Sequence, residues 1–265
     1  DGDRAARLER AAGAVADVAG ISRAVWGDSK RLYQPGTGLA ALEAGVLGAL
    51  PAIPPDAGAL AERLGADDAG CAPAEWAALR ATPLPVAAGR DAVSRVAAAV
   101  AAELPRHGVG LAAVRCRVVH PAEFNALLDR GLNKSDILSR TTLDLAAALL
   151  GERGRGPAEI WCDRHGGRKA YAGLVGAHFS AALVRTVVES PAVSRYEVPE
   201  RRATIEFAVG GEARIPVALA SMTAKYVREL AMAAFNAHWA TILPGLVPTA
   251  GYPLDARRVG VVPPA

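Results

Sequence analysis

The sequence has little of several features that would narrow its class at once. It contains three cysteines, at positions 71, 116 and 162, with no C-x-x-C pair and no histidine near them at ligand spacing. This spacing indicates neither a zinc site nor a disulfide framework, so a reducing cytoplasm is the expected setting. No apolar run reaches the about 18–20 residues of a membrane-spanning helix, so we expect no membrane partner.

An excess of charge of one sign is also lacking. The 265 residues include 30 Lys and Arg against 27 Asp and Glu, a formal net charge of +3. This balance favours an anionic partner without requiring one. Alanine supplies much of the apolar share, which is typical of helices. The length allows one large domain or two small ones, and we treat the chain as one domain and a monomer.

Hydrophobic periodicity alternates between helical and strand-like along the chain. An apolar run predicts a buried strand over 109–119, AEIWCD predicts another over 158–163, and ATIEFAVGGEARIPVAL predicts a hairpin around Gly210-Gly211. Helices are predicted over 3–19, 38–50, 90–106, 121–128, 133–151 (capped by Gly151), 170–188 and 220–239. Residues 51–90, rich in alanine and proline, are predicted to be a helical insertion. The pattern favours an α/β domain built on a mixed sheet.

One aspartate closes the second predicted strand. In WCDRHGGRKAY, residues 161–171, Asp163 ends the apolar run, and Gly166-Gly167 follow with Arg164, Arg168 and Lys169 around them. The plainer interpretation is an architectural loop aspartate with solvated basic neighbours. The alternative is a carboxylate of a functional site, with backbone N–H groups and basic side chains turned towards an anion.

The last predicted helix carries a second candidate group. Lys225 and Glu229 are four residues apart and share a face with Ser221 one turn earlier. By itself this pair indicates a surface salt bridge, worth about 0.3–0.5 kcal/mol. The five histidines show no ligand spacing, and we assign none to a metal.

Four pieces of the chain, taken in order, resemble the type 2 ribonucleases H. They are DSKRL at 28–32, WCD at 161–163, ASMTAKYVRE at 220–229 and GYP at 251–253. The stretch FNALLDRGLNKSDILSRTTLDLAAALL also resembles the family's central helix pair, with Asn133 and Thr141 or Thr142 at similar spacing. The resemblance covers most of residues 20–260, apart from the proline-rich insertion.

The resemblance implies a ribonuclease H-like mixed sheet flanked by helices, with a helical C-terminal part and insertions at 51–90 and 166–200. It implies a divergent bacterial endonuclease that hydrolyses the RNA strand of RNA–DNA hybrids, or cuts at embedded ribonucleotides, to leave a 5′-phosphate and a 3′-hydroxyl. The implied cofactor is Mg²⁺ or Mn²⁺, because such hydrolysis uses about four carboxylates to hold two ions.

The resemblance also assigns residues. Asp163 and Glu229 become metal ligands and catalytic carboxylates, and Lys225 becomes a catalytic cation beside the scissile phosphate. Tyr252 resembles the tyrosine that stacks near the RNA–DNA junction, although packing at a turn is the simpler interpretation. The remaining expected substrate contacts are Asp28, Ser29, Lys30, Arg164, Arg168 and Arg228.

Three departures from the family pattern leave alternatives open. Glu229 stands where the family has aspartate, and it follows Asp163 by 66 residues, more than in compact bacterial enzymes. No D-E-x-G motif occurs, so we expect the first strands and two carboxylates to lie upstream of Asp1. A catalytically inactive nucleic-acid-binding module of the same fold is the main alternative. A nuclease of the same superfold that acts on DNA junctions is a third possibility.

Overall fold

The computed structural model describes residues 2–21, 24–33, 38–66, 73–152 and 156–251. It confirms an α/β architecture with one mixed four-stranded sheet. The strands are β1 (Ala158–Asp163), β2 (Arg185–Glu189), β3 (Val193–Val198) and β4 (Ala203–Ala208). The helices are α1 (Gly2–Ala19), α2 (Ser29–Leu32), α3 (Ala40–Ala49), α4 (Ala57–Leu64), α5 (Pro73–Arg80), α6 (Arg90–Arg106), α7 (Pro121–Asp129), α8 (Lys134–Glu152), α9 (Ala172–His178) and α10 (Ile215–Ile242).

The sheet has the strand order β1-β4-β3-β2. Strands β2, β3 and β4 form an antiparallel meander, and β1 pairs in parallel with β4, with Asp163 opposite Ala208. Because the two parallel strands end at the same edge, the residues that follow β1 and β4 lie close together. That edge carries the candidate site.

Two hydrophobic clusters support this edge. One is built from α1, α3, α4, α5, α6 and α10 around large buried side chains such as Leu42, Leu47 and Met222. The other packs α8 and α9 against the sheet around Tyr171, Tyr196 and Phe207. Helix α10 contacts β1 as well as α1, α3 and α5, so one long helix links the helical layer to the sheet.

A buried carboxylate fixes α10 against the helical layer. Glu43 on α3 is fully buried and accepts the backbone N–H groups of residues 86, 87 and 88 at 2.6–2.7 Å. It also accepts the hydroxyl of Tyr226 on α10 at 2.6 Å. Four donors replace the water that the carboxylate lost on burial, so the group can be retained in the core.

The predicted strand over 109–119 is wrong. This segment is not part of the sheet and lies extended across the helical cluster, where Val109, Leu111, Val114, Cys116 and Val118 pack. Its apolar density therefore reflects burial against helices. The backbone of Cys116 donates to the carbonyl of Leu64, which attaches the segment to the end of α4.

The predicted helix over 170–188 is correct only in its first half. Helix α9 ends at His178, Ser180 adopts a positive φ of 48°, and β2 begins at Arg185. Thr186, Val187 and Val188 are β-branched residues that favour the strand. Segment 166–200, predicted to be an insertion, thus supplies β2 and β3 of the sheet.

The predicted hairpin around Gly210-Gly211 is also wrong. Strand β4 pairs with the preceding strand β3, whereas Gly210 is left-handed and Gly211–Ala213 form a 3-10 turn that leads into α10. Pro216 in the first turn of α10 favours this helix start.

The predicted cap of α8 is also wrong. Gly151 lies inside the helix, which continues to Glu152.

Residues 51–90, predicted to be a helical insertion, contain helices α4 and α5 in their described part. Helices α4 and α5 contribute Leu60, Leu64, Trp76 and Leu79 to the same cluster as α3 and α6. In the part of the chain that the structure describes, no helix has the length and apolar character needed to cross a membrane.

Candidate functional site

The site begins where β1 and β4 end. Asp163 is the last residue of β1, and its Oδ1 accepts the backbone N–H of Gly211 at 3.0 Å. The backbone N–H of Arg164 donates to the carbonyl of Ala208 at 3.0 Å, which continues the parallel pairing by one step. The exposed Asp163 carboxylate is therefore held beside the turn that precedes α10.

Glycine is required at position 211 because the two chains approach closely. A Cβ atom there would lie 2.9 Å from the Cα of Asp163 and 3.1 Å from the carbonyl oxygen of Cys162. The first distance is shorter than a Cβ atom tolerates against backbone, and the second is unusually tight. The second glycine of Gly210-Gly211 thus permits the contact with Asp163, a role that the sequence pattern did not indicate.

The DSKRL segment forms a short turn of helix against α10. Asp28 caps α2 by accepting the backbone N–H of Lys30 at 2.8 Å, and this bond is the main reason that the pKa of Asp28 is lowered. The indole N–H of buried Trp26 donates to the carbonyl of Gly45 and anchors the chain just before the segment. The side chain of Lys30 is exposed.

Three side chains from distant parts of the chain meet under this segment. The hydroxyl oxygens of Ser29 and Ser221 are 3.0 Å apart. The Ser221 hydroxyl also donates to Oε1 of Glu212, and the Ser29 hydroxyl lies 3.5 Å from the same oxygen. The predicted DSK and AxSxxAKxxRE motifs are thus brought together by a hydrogen-bonded cluster.

Glu212 is the functional candidate that the sequence reasoning missed. It follows Gly211, the residue that binds Asp163, and it also lies beside Asp28, where its carboxyl group contributes to the lowered pKa of Asp28. The useful signal was the order strand, Gly-Gly, carboxylate, helix, which places an acidic side chain at a sheet edge. The incorrect hairpin prediction concealed it, because a hairpin that turns at Gly210-Gly211 makes Glu212 part of a second strand.

A second group lies one to two turns further along α10. Oε2 of Glu229 accepts the hydroxyl of Tyr33 at 3.0 Å, and Oε1 is 2.9 Å from Arg228 and 3.4 Å from Lys225. The Lys225 ammonium lies 4.6 Å from the centre of the Tyr33 ring. Tyr33 follows DSKRL directly, so the same short segment contacts both groups on α10.

The basic residues after Asp163 have partners within the protein. Arg164 donates to the carbonyl of Ser190 and to the hydroxyl of Ser194, which ties the end of β1 to the β2–β3 turn. Arg168 pairs with Asp136 at the start of α8. These bonds orient each guanidinium within the fold.

His165 is buried between the sheet and α8. Its Nδ1 is 3.0 Å from the Ser139 hydroxyl, and its backbone N–H donates to the hydroxyl of Tyr171. Burial lowers the pKa of His165 to about 4, against a smaller opposing effect of the Asp163 charge. Burial likewise raises the pKa of the Cys162 thiol to about 12, with Asp163 contributing in the same direction.

The remaining predicted residues have simpler positions or fall outside the structure. Asn133 and Asp136 exchange side-chain to backbone hydrogen bonds at 3.0 and 3.2 Å, which caps the start of α8. Thr141 lines a hollow between α7 and α8. Tyr252 lies outside the described residues.

The carboxylates do not complete a metal site by themselves. Within the ranges that the structure covers, no three His, Cys, Asp or Glu side chains are grouped so that they could hold a metal ion. Glu229 is ion-paired with two cations, and Asp163 and Glu212 flank Gly211 without a third ligand in such a group. The described residues therefore do not supply, by themselves, the set of ligands that two Mg²⁺ or Mn²⁺ ions need.

Comparison with known proteins adds no assignment. No family model, no curated protein and no solved structure matches the chain.

Proposed function

We propose that this protein is a nuclease of the type 2 ribonuclease H kind, acting on the RNA strand of RNA–DNA hybrids or beside embedded ribonucleotides. The observation that supports this best is the contact between the DSKRL segment and the AxSxxAKxxRE face of α10. Ser29 and Ser221 are 192 residues apart in sequence, yet their hydroxyls are hydrogen-bonded. Each motif was selected from the sequence for its resemblance to this family, and the fold places them side by side.

The chemistry of the cluster also favours phosphate chemistry. Lys30 supplies positive charge beside the carboxylate of Asp28, and Lys225 lies one turn along α10 from Ser221, which binds Glu212. Cations that bind backbone phosphates beside acidic groups are expected in a nuclease, because the cations hold the polyanion while the acids organise the hydrolytic step. A site for a small molecule would instead be a pocket that encloses its ligand, whereas Lys30 is exposed at this site.

Asp163 and Glu212 are the carboxylates that we assign to the reacting edge. Asp163 ends β1 and accepts the backbone N–H of Gly211, and Glu212 is the next residue after that glycine. Since the described residues do not complete a metal site, we assign no step to a bound ion. Their proposed role is that of a general base: one carboxylate accepts the proton of the water that attacks the phosphate bound by Lys30 and Lys225.

A labelled 20-base-pair RNA–DNA hybrid tests the proposal. The full product of the gene should bind the hybrid with an affinity that falls steeply with salt, and with Mg²⁺ or Mn²⁺ it should cut the RNA strand only. Duplex DNA and a four-way DNA junction of equal length are the matched controls. Cutting of the junction without any ribonucleotide would identify a DNA-junction nuclease instead.

A catalytically inactive binding module is the second candidate. It is favoured by the ion pairing of Glu229 with Lys225 and Arg228 and by the absence of a metal-binding group among the residues described. This candidate predicts salt-dependent binding of the hybrid with no cutting by the full gene product at any metal concentration. Absence of both binding and cutting would contradict both candidates.

A further inference from the structure

The carboxylate of Glu229 is enclosed by hydrogen-bond donors from two elements. Tyr33 donates to Oε2 at 3.0 Å, while Arg228 and Lys225 lie 2.9 and 3.4 Å from Oε1. The Glu229 side chain is 19% exposed, so water screens these contacts only in part. To bind a metal ion directly, this carboxylate would have to release charged donors that already balance its charge.

Lys225 is held from two sides by the same arrangement. Glu229 lies one turn further along α10, and the face of the Tyr33 ring is 4.6 Å from the ammonium. A lysine side chain is long and flexible, and two anchors restrict where its ammonium can lie. The ammonium is thereby kept on the side of α10 that faces the DSKRL segment.

We infer that Glu229 is a positioning residue, which with Tyr33 sets the Lys225 ammonium in place to bind a backbone phosphate. This role differs from the metal-ligand role that the family resemblance implies for Glu229. The inference rests on the proposed function, because it takes a nucleic-acid backbone as the ligand. It also assigns a role to Tyr33, a residue that no sequence motif indicated.

Two substitutions at position 229 separate the roles. Glu229→Gln and Glu229→Ala remove the same negative charge, but only Gln retains an oxygen that can replace one of the two carboxylate acceptors, either for Tyr33 or for Lys225. Either substitution strengthens binding of a polyanion simply because a negative charge is lost. Since both variants lose the same charge, this effect cancels when they are compared. Binding of a fluorescent RNA–DNA hybrid is measured in EDTA, where no metal ion can contribute.

The positioning role predicts that Glu229→Ala binds the metal-free hybrid about threefold to tenfold more weakly than Glu229→Gln. In the Lys225→Ala background the two variants should bind equally, because the group being positioned is gone. Tyr33→Phe, which keeps the ring and loses the hydroxyl, should weaken binding in the same direction. Lys225→Ala should also make the plot of log affinity against log salt concentration less steep, by about the slope of one phosphate contact.

Metal titration of the cleavage reaction supplies the second measurement. The positioning role predicts that the metal concentration giving half-maximal rate is the same for Glu229→Gln and the wild type. Equal metal-free binding by Gln and Ala variants with unchanged melting temperatures, or a shift of more than about tenfold in the metal midpoint, would overturn the inference. If the wild type does not bind the hybrid at all, the proposed function itself fails.

Discussion

The hydroxyl oxygens of Ser29 and Ser221 are 3.0 Å apart, and both contact the carboxylate of Glu212. This contact joins a short turn near the start of the chain to the long helix α10 near its end. It also places Glu212 between that turn and Asp163, which is attached through Gly211. The candidate site is therefore defined by a tertiary contact between segments that are far apart in the sequence.

Glu212→Gln should abolish most cleavage activity. Gln keeps an acceptor for Ser221 and removes the charge next to Asp28, so the fold should persist while the rate falls at least about 100-fold. Initial rates on the RNA–DNA hybrid measure this effect. Glu197→Gln changes an exposed carboxylate on β3 and should leave the rate unaltered. A rate within threefold of wild type for Glu212→Gln would exclude Glu212 from the site.

Gly211→Ala should destabilise the protein by about 1–3 kcal/mol, because the new methyl group would be forced against the backbone of Asp163. Gly167→Ala is the matched control in the same region, since a Cβ there would meet no atom within 4 Å. Urea unfolding followed by circular dichroism measures both. If the two variants are equally stable, the close approach at Gly211 is not as tight as the structure has it.

Glu43→Ala should be among the most destabilising single changes, at about 3–5 kcal/mol, since it leaves three backbone N–H groups, one of them buried, and the buried Tyr226 hydroxyl without their acceptor. Tyr226→Phe removes one donor and should cost about 1–2 kcal/mol. Burial and the bond to Glu43 both raise the pKa of Tyr226. Chemical denaturation of both variants tests the order, and a smaller cost for Glu43→Ala than for Tyr226→Phe would contradict it.

His165 should make stability depend on pH in acid. Its pKa is about 4 when folded, below the usual 6.5, so between these values the unfolded chain binds more protons. The contribution is complete above pH 6.5 and is lost as the pH falls towards 4, amounting to about 3 kcal/mol. His165→Asn keeps an acceptor for Ser139 and should lack this dependence. Urea unfolding at several pH values measures this effect. If the free energy of unfolding changes with pH equally in the wild type and in His165→Asn between pH 4 and 7, His165 does not titrate in this way.

The sequence predicted those parts of the fold that local patterns determine. Helices α1, α3, α6 and α10 and strand β1 follow from apolar periodicity and end signals. Segment 109–119 could not be distinguished from a strand, because burial against helices and burial in a sheet produce the same apolar density. The hairpin partner of β4 is β3, which precedes it in the chain, so a search for a second strand after Gly210-Gly211 found the wrong segment.

The candidate site was predictable only in its motifs. The sequence indicated Asp163, Ser29 and Lys225, but it could not show that the Ser29 and Ser221 hydroxyls meet. Tyr33 and Glu212 were missed because their roles arise from contacts across about 190 residues of sequence. The local order around Glu212 could have indicated an acidic residue at the sheet edge, but its contact with Ser29 and the contact of Tyr33 with Glu229 follow from the approach of α2 to α10.

The most direct test of the account uses a DNA duplex that carries one ribonucleotide, with Mg²⁺ or Mn²⁺ and the full gene product. The account predicts incision beside the ribonucleotide, leaving a 5′-phosphate and a 3′-hydroxyl, and loss of incision in Asp163→Asn. The Asp163→Asn protein should still bind the duplex, because Lys30 and Lys225 remain. Absence of incision by the wild type on this duplex and on the RNA–DNA hybrid, or equal incision by Asp163→Asn, would contradict the central claim.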